Sequence, residues 1–570
     1  MNKKIRIRCS RIIGEYLLVI SLILLTASLM MFFQLKHHVG LILSDTLFHE
    51  NRIYDTAQQL LHHNFSYFQM NYGAYQSGRI INPIYGPFFS YFLGGLLLLA
   101  GSWFRFQVLT NYLLFILAGL GMYRLSKKVK ASNWAAILSM LMFLATGYVV
   151  YWIQGDTFNS WGAALMPYVL IEGIKMIQTK DRQVNWLELG TVMGIIAQVH
   201  MLSIVLSVMA LIPFFVYGLI ISENKKELLI NVGKAILLFV VLSANVWSAY
   251  LLLYSTNTIS PTFSYPLAQS AVHLGAITVK GTILISTLLV FIFQLGYVFF
   301  CWKNQPINLF LTVEGFVFLI ISSQLFPWQL LERQLPSLAT YLQFPNRLTV
   351  IAYPLLYSGI AISLTHLLNN KNWGIKSIGI VGSCLILLTF AYNTRSNMIK
   401  NEQQTMGIVA TTHIAKWSRQ PDLNQFLINV PSFNPEYLSL RHKITMARAN
   451  MMLYQKLYIP NRDHFHKEVL AHGKLKIIWQ GDEKLKDVLL PIVMYHQSQL
   501  VVNGKDKGQI KEFNAIGMPV VRSKVGQNEA ILSFNIPKWF MTLLFVSIIS
   551  WLIVIVFSIC QFSKSRLKSK

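Results

Sequence analysis

Twelve apolar runs, several of them longer than the roughly 18 residues that mark a bilayer-spanning helix, set the limits on how this chain can fold. Lipid offers backbone groups no hydrogen-bond partner, so runs of this length must become helices that satisfy their own N–H and C=O groups. Hydrophobic residues make up 54% of the chain and charged residues 13%. The chain therefore reads as a polytopic α-helical membrane protein. The spans fall at 12–34, 105–125, 132–153, 160–178, 187–200, 204–221, 229–253, 281–301, 307–325, 349–367, 375–393 and 538–560.

Orientation follows from the basic residues. Lys3, Lys4, Arg6, Arg8 and Arg11 precede the first span, which is too long for a signal-peptide core and reads as a retained anchor. Lys127 to Lys130, Lys175 to Arg182, Lys225 and Lys226, Lys303, Lys371 to Lys376 and the tail after Ser563 then share one side. Short basic loops stay in the cytoplasm, so both termini are expected there. The balance of 49 basic against 23 acidic residues, +26, also favours anionic lipids as partners. Two stretches strain the count. Pro87 to Ser102 is apolar but short and is expected to be juxtamembrane or re-entrant, and Leu187 to Ile221 is too long for one crossing and is split near His200. The cysteines Cys9, Cys301, Cys384 and Cys560 lie in spans or cytoplasmic flanks, so no disulfide is expected.

Three regions result: 1–393, a membrane module with a first external loop at 35–104; 394–536, an extracytoplasmic domain; and 537–570, a closing span with a basic tail. The external domain is expected to be α/β. Its helices fall at Asp422 to Ile428 and Ile444 to Lys456. A β-sandwich is built from Leu475 to Trp479, Val488 to Val493, Gln499 to Val502, Pro519 to Arg522 and Ala530 to Phe534, with turns at Asn503-Gly504 and Gly526-Gln527-Asn528.

The first external loop carries Asp45, Glu50 and Asp55. Asp45 follows Ser44, a good N-cap, at the start of a helix whose apolar face runs through Phe48, Tyr54, Ala57 and Leu61 and is expected to lie flat on the outer leaflet. A carboxylate fixed there can take a proton from an acceptor hydroxyl; the alternative is a helix-start charge that answers the dipole. Asp156, in the loop Gln154 to Asn159, is a second external carboxylate, and the two can converge on an acceptor or on a divalent cation. His200 interrupts an apolar run where polar groups are costly. Arg333 and Arg347, in the loop before the 349–367 span, match the bidentate geometry of phosphate, although arginine at a membrane edge also snorkels to head groups. No Walker loop, nucleophile elbow or external cysteine is present, and nucleic acid is not an expected partner.

The pattern D-x-x-FH-x-x-RI at Asp45 to Ile53, LQFPNR at Leu342 to Arg347, and LLPIVMYHQSQLVVNGK at Leu489 to Lys505 before a β-rich region and a closing span resembles the YfhO-like family, whose members are also labelled 6-pyruvoyl-tetrahydropterin synthase-related membrane proteins. More broadly the chain resembles the GT-C superfamily of membrane glycosyltransferases. The resemblance implies a GT-C-like fold and transfer of a sugar from a polyprenyl-phosphate-linked donor to a cell-envelope acceptor such as a teichoic acid, a glycolipid or a protein. It carries Asp45 and Asp156 over as the catalytic positions and puts Arg347 in its QFP-x-R motif; by their own positions His49, Arg52, His200, Arg333 and Arg347 are expected toward substrate. A divalent cation, Mg or Mn, is left open, with Asp45 and Asp156 as its ligands if present. The setting implied is a bacterial plasma membrane, Gram-positive in type. The competing reading is a lipid or polymer transporter or an assembly partner without catalysis.

Overall fold

The computed structural model describes residues 3–568 apart from 44, 156, 179–183, 277–281, 302, 431–433, 435, 442–446, 459–463, 483–485 and 507–509. Helices account for most of the described residues; a five-stranded and a three-stranded sheet lie in the C-terminal region, and two-stranded ladders join Thr258–Ile259 to Ser439–Leu440 and His273–Ala276 to Thr282–Leu284. Helix lies in each apolar run, but not all of the runs are continuous, and the run 281–301 opens with the strand Thr282–Leu284 before its helix Ile285–Cys301. Among the described residues six helices are each long and apolar enough to cross a membrane. Lys225–Leu242 and Ala244–Thr256 make a seventh crossing only as a pair bent by 63°, where the sequence predicted one span over 229–253. The run 132–153 is likewise broken, into Asn133–Leu144, a short turn and Tyr151–Gly155. Gly147 allows that break because its φ of +66° lies in the left-handed region. The run Leu187 to Ile221 divides at His200, whose extended backbone separates Trp186–Val199 from Met201–Ile221.

Packing separates two kinds of apolar helix. Pro345–Leu368 has 89% of its apolar window buried inside the protein, between Pro306–Ser322 and Asn133–Leu144. Lys538–Gln561 is the most apolar of the spans yet has only 11% of its window buried, so its surface suits lipid. The predicted 375–393 span belongs to a helix, Trp373–Ala410, of 38 residues. At ~1.5 Å per residue it outreaches a core of about 30 Å.

The segment expected to be the first external loop differs from that expectation in its burial. Thr46–Leu61 does not lie on a surface: Glu50, Arg52, Asp55 and Thr56 are fully buried, and Pro87–Ala100 packs across it. The approach is tight, since a Cβ on Gly94 would stand 2.8 Å from the Ala57 nitrogen. The polar face is satisfied within the protein instead of by water. Asp55 accepts from the Tyr72 and Gly73 amides at 2.8 and 3.0 Å and from Gln59 at 2.6 Å, and Glu50 accepts from Gln107 at 2.9 Å.

The C-terminal region contains the expected sandwich. Its strands are β1 (His466–Leu470), β2 (Lys474–Gly481), β3 (Asp487–Leu489), β4 (Ser498–Val502), β5 (Lys505–Asp506), β6 (Ile510–Phe513), β7 (Pro519–Arg522) and β8 (Gly526–Phe534). One antiparallel sheet has the order β1-β2-β8-β4-β5 and the other β6-β7-β3. Leu475, Ile477, Trp479, Ile492, Val521 and Leu532 fill the cluster between them. Asn503-Gly504 forms the β4–β5 hairpin turn, with both φ angles positive as a type I′ turn needs. The Gly526-Gln527-Asn528 turn is not seen; these residues start β8. Strand β3 stops at Leu489, short of the predicted Val493, two residues before Pro491.

Candidate active site

Asp45 stands at the N-cap of Thr46–Leu61 but does not cap it: its carboxylate makes no bond to the first-turn amides. It turns instead into a cavity of about 560 Å³ and accepts from the Thr157 hydroxyl at 3.4 Å. Burial raises its pKa, and the opposing pull of the Arg347 guanidinium and the Thr157 hydroxyl only partly offsets this.

His49 lies one helical turn further on and lines the same cavity. Arg52, three residues along, places Nη1 2.9 Å from His49 Nδ1. A guanidinium can only donate, so Nδ1 must accept and the imidazole is neutral, with its proton on Nε2. Burial, then Arg52 and His200, drive the His49 pKa well below its usual value in the same direction. Arg52 does not line the cavity. It is fully buried behind His49, donates from Nε to Asn82 at 3.0 Å, and lies over the rings of Tyr85 and Phe158 at 4.5 and 5.0 Å. Those ring faces compensate a cation whose pKa burial lowers to about 10. Its contact holds His49 in the tautomer with the proton on Nε2.

His200 reaches the cavity because the helix breaks there, and its Nδ1 meets the Ser203 hydroxyl at 2.9 Å. Burial, with Arg347 and Arg52 nearby, lowers its pKa to about 3. Arg347 arrives from the turn Pro345–Leu348 at the head of the central helix. It donates from Nη1 to the Leu342 carbonyl at 2.8 Å and lies over Phe344 at 4.9 Å, while its Nε is buried without a hydrogen-bond partner. Asn346 beside it accepts from the Tyr148 hydroxyl at 2.5 Å.

Glu436 is the member of this cavity that sequence reasoning missed. A two-residue ladder brings it there: Thr258–Ile259 pairs antiparallel with Ser439–Leu440, and Ser260 donates to the Leu438 carbonyl at 2.8 Å. Burial is the largest cause of its raised pKa, about 7, and Asp45 is the next. Arg79, the Phe263 amide and Asn434 oppose the shift. Asn159 was also missed. It lines the cavity, is 1% exposed, and neither its oxygen nor its nitrogen has a partner. A buried amide left bare in this way has hydrogen-bonding capacity to give to a ligand.

Two other predicted residues stand apart. Asp156 lies outside the described residues, although Thr157, Phe158 and Asn159 after it line the cavity. Arg333 is exposed on the helix Trp328–Gln334 and does not line it. Among the described residues no three His, Cys, Asp or Glu side chains gather as a metal site.

Fold and site together describe a polytopic helical membrane protein with a small β-sandwich region and a polar, charged cavity at the junction of its first loop, the head of its central helix and its C-terminal region. No protein-family model matches the chain, and no curated protein matches it. Among solved structures the chain is similar to ArnT from Cupriavidus metallidurans bound to undecaprenyl phosphate, at 12% identity and a TM-score of 0.41 over 72% of this chain and 77% of that one. It is also similar to the oligosaccharyltransferase of Archaeoglobus fulgidus in the apo form, at 12% identity and a TM-score of 0.39 over 75% of this chain and 62% of that one. Neither likeness bears on the chemistry, which is carried by the cavity residues themselves.

Proposed function

We propose that the protein is a GT-C-type membrane glycosyltransferase that moves a sugar from a polyprenyl-phosphate carrier to an extracytoplasmic hydroxyl acceptor in the cell envelope. The observation that carries this reading is the convergence of Asp45, Glu436 and Arg347 on one cavity that also presents the bare Asn159 amide. The acceptor oxygen attacks the anomeric carbon while Asp45 takes its proton. The bond from that carbon to the phosphate oxygen breaks, and the polyprenyl phosphate leaves with the electron pair. Arg347 faces the charge that grows on the phosphate, where a guanidinium is most effective. A raised carboxyl pKa brings Asp45 closer to the neutral range in which a general base works best. Neutral His49 and His200 add hydrogen bonds without adding charge. The order of motifs that resembles the YfhO-like family agrees with this reading.

The test uses purified protein in liposomes with a panel of labelled polyprenyl-phosphate sugars and a hydroxyl acceptor. Expected is release of polyprenyl phosphate matched by labelled acceptor, and loss of both in Asp45→Asn. An Asp45→Asn protein as active as wild type would remove Asp45 as the base.

A transport reading has one observation in its favour. Glu314, buried in the short apolar helix Pro306–Ser322, has no hydrogen-bond partner on either carboxylate oxygen among the described residues, and buried acids within a membrane module often serve ion or substrate pathways. That reading requires Glu314→Gln to abolish function while Asp45→Asn leaves it intact.

A further inference from the structure

Asn159 opens the helix Asn159–Gln178 and lines the Asp45 cavity, yet its side chain forms no hydrogen bond with the described residues. It is 1% exposed, so water does not supply what the protein withholds. A carboxamide stripped of partners on both its oxygen and its nitrogen costs stability, and a ligand that restores both bonds gains by as much. We propose that Asn159 is a specificity-determining residue that reads two neighbouring hydroxyl groups on the sugar being transferred. The inference rests on the glycosyltransferase reading and names the part of the donor that one side chain recognises.

Hydrogen-bond chemistry selects the group. A carboxamide presents an acceptor oxygen and a donor nitrogen side by side in one plane. An ionised phosphate only accepts, so it would leave Oδ1 bare, and a polyprenyl chain would leave both atoms bare. Two hydroxyls on adjacent ring carbons match, because each can donate or accept: one gives its proton to Oδ1 and the other takes one from Nδ2. Arg347, in the same cavity, can only donate and suits the phosphate. Phosphate and sugar are thus divided between two residues of opposite hydrogen-bonding character.

Position ties Asn159 to the reacting centre. Thr157, Phe158 and Asn159 are consecutive. Thr157 donates to the Asp45 carboxylate at 3.4 Å, and Phe158 stacks on the His49 imidazole with centroids 4.1 Å apart and planes 29° from parallel. Two residues of chain span at most about 7 Å, so the Asn159 backbone is held close to the residue that grips the base. The support is rigid. Phe158 is 1% exposed, meets Trp152 edge to face at 5.6 Å and lies under Arg52 at 5.0 Å. Gly162 leaves no room for a Cβ against the Ser203 hydroxyl, which sets the first turn of the helix close against the head of Met201–Ile221. A side chain on so fixed a base meets its ligand without the cost of being ordered. His49, with its proton on Nε2, adds a donor to the same cavity for a further sugar oxygen.

The experiment measures binding, with no acceptor present, of polyprenyl phosphate and of its glucosyl, galactosyl and mannosyl derivatives to the full-length protein in nanodiscs, and then of the monodeoxy forms of the tightest sugar. Wild type is expected to favour one sugar over bare polyprenyl phosphate and to lose about tenfold or more for a form lacking either hydroxyl of the pair. Asn159→Leu substitutes an apolar side chain of similar size. It should bind bare polyprenyl phosphate as wild type does, and should no longer distinguish the sugar from the deoxy forms that wild type rejects. Because both amide atoms are bare within the protein, the same variant should melt at a higher temperature than wild type, the opposite of losing a structural amide. Free methyl glycosides of the same sugars, standing in for an acceptor, should bind wild type and variant alike. A lower melting temperature, retained discrimination between sugar and deoxy forms, or an equal loss of bare polyprenyl phosphate overturns the proposal. So does an effect confined to the methyl glycosides, which would put Asn159 on the acceptor. A wild-type protein that binds none of the lipids removes the transferase reading and the proposal with it, whereas one that selects a sugar equally well with Asn159→Leu removes the proposal alone.

Discussion

Two cavities of the protein differ in a way that their sizes do not convey. Among the described residues the wider groove of about 950 Å³ is lined by rings, amides, four histidines and Lys467. The smaller cavity of about 560 Å³ holds two carboxylates and an arginine, with two histidines stripped of charge by their surroundings. Volume measures how much ligand a site can hold, whereas opposed charges under desolvation measure what it can do to that ligand. The proposed transfer chemistry therefore belongs to the smaller cavity. The contrast breaks if substitutions in the two places have the same consequences.

The largest effect is expected at Asp45. Asp45→Asn should lower transfer by at least about 10²-fold, the scale of losing a general base, at unchanged membrane abundance. Envelope glycan composition in a deletion strain complemented by wild type or variant checks this. Arg347→Ala follows, with a loss of about 10-fold to 10²-fold that is read mainly as weaker use of the phosphate-linked donor. Arg347→Lys should recover only part of it, because an ammonium cannot reproduce the forked donor.

Much of this site was legible in sequence. Asp45 and His49 lie four residues apart on one helical face, His200 marks a helix break, and Arg347 precedes a long apolar run. What misled was the inference that a helix with a polar face must meet water or head groups. The buried face of Thr46–Leu61 is polar because Gln107, Asn82 and the Tyr72 and Gly73 amides satisfy it inside the protein, and those partners are distant in sequence or belong to the backbone. Glu436 was illegible for a related reason. It is placed by a ladder only two residues long, 180 positions from its partner strand, and so short a ladder leaves no periodic signal. The sandwich was easier because alternation and an Asn-Gly turn are local.

Glu436 gives the next prediction, one of pH. Its folded pKa is raised to about 7 from a usual 4.5. The folded state then keeps a proton that the unfolded chain has released, so stability falls as pH rises from about 4.5 to about 7 and stays at its lower value above that. Glu436→Gln removes the penalty. It should raise the melting temperature at pH 8, by up to about 3 kcal/mol in stability terms, and change little at pH 4.5. Asp45 is one cause of the shift, so Asp45→Asn should move the Glu436 inflection to lower pH. An inflection that ignores Asp45→Asn would mean that the two carboxylates do not sense one another.

The smallest effect tests the other side of the contrast. Gly504 holds φ at +73° in the hairpin between β4 and β5, and a Cβ there would meet nothing within 4 Å. Gly504→Ala therefore costs only backbone strain, about 1 kcal/mol, with no clash. That cost falls on the sandwich edge, since β5 is the terminal strand of its sheet, while the groove is built at the opposite edge on β1. Hydrogen exchange should quicken in β4 and β5, whereas transfer should hold. If exchange quickens in β1 as well, the sandwich acts as one cooperative unit and the groove depends on the stability of the whole sheet. If β1 holds, the groove is fixed locally by the Lys467 and Asn64 ties that anchor β1 and its hairpin to the first loop.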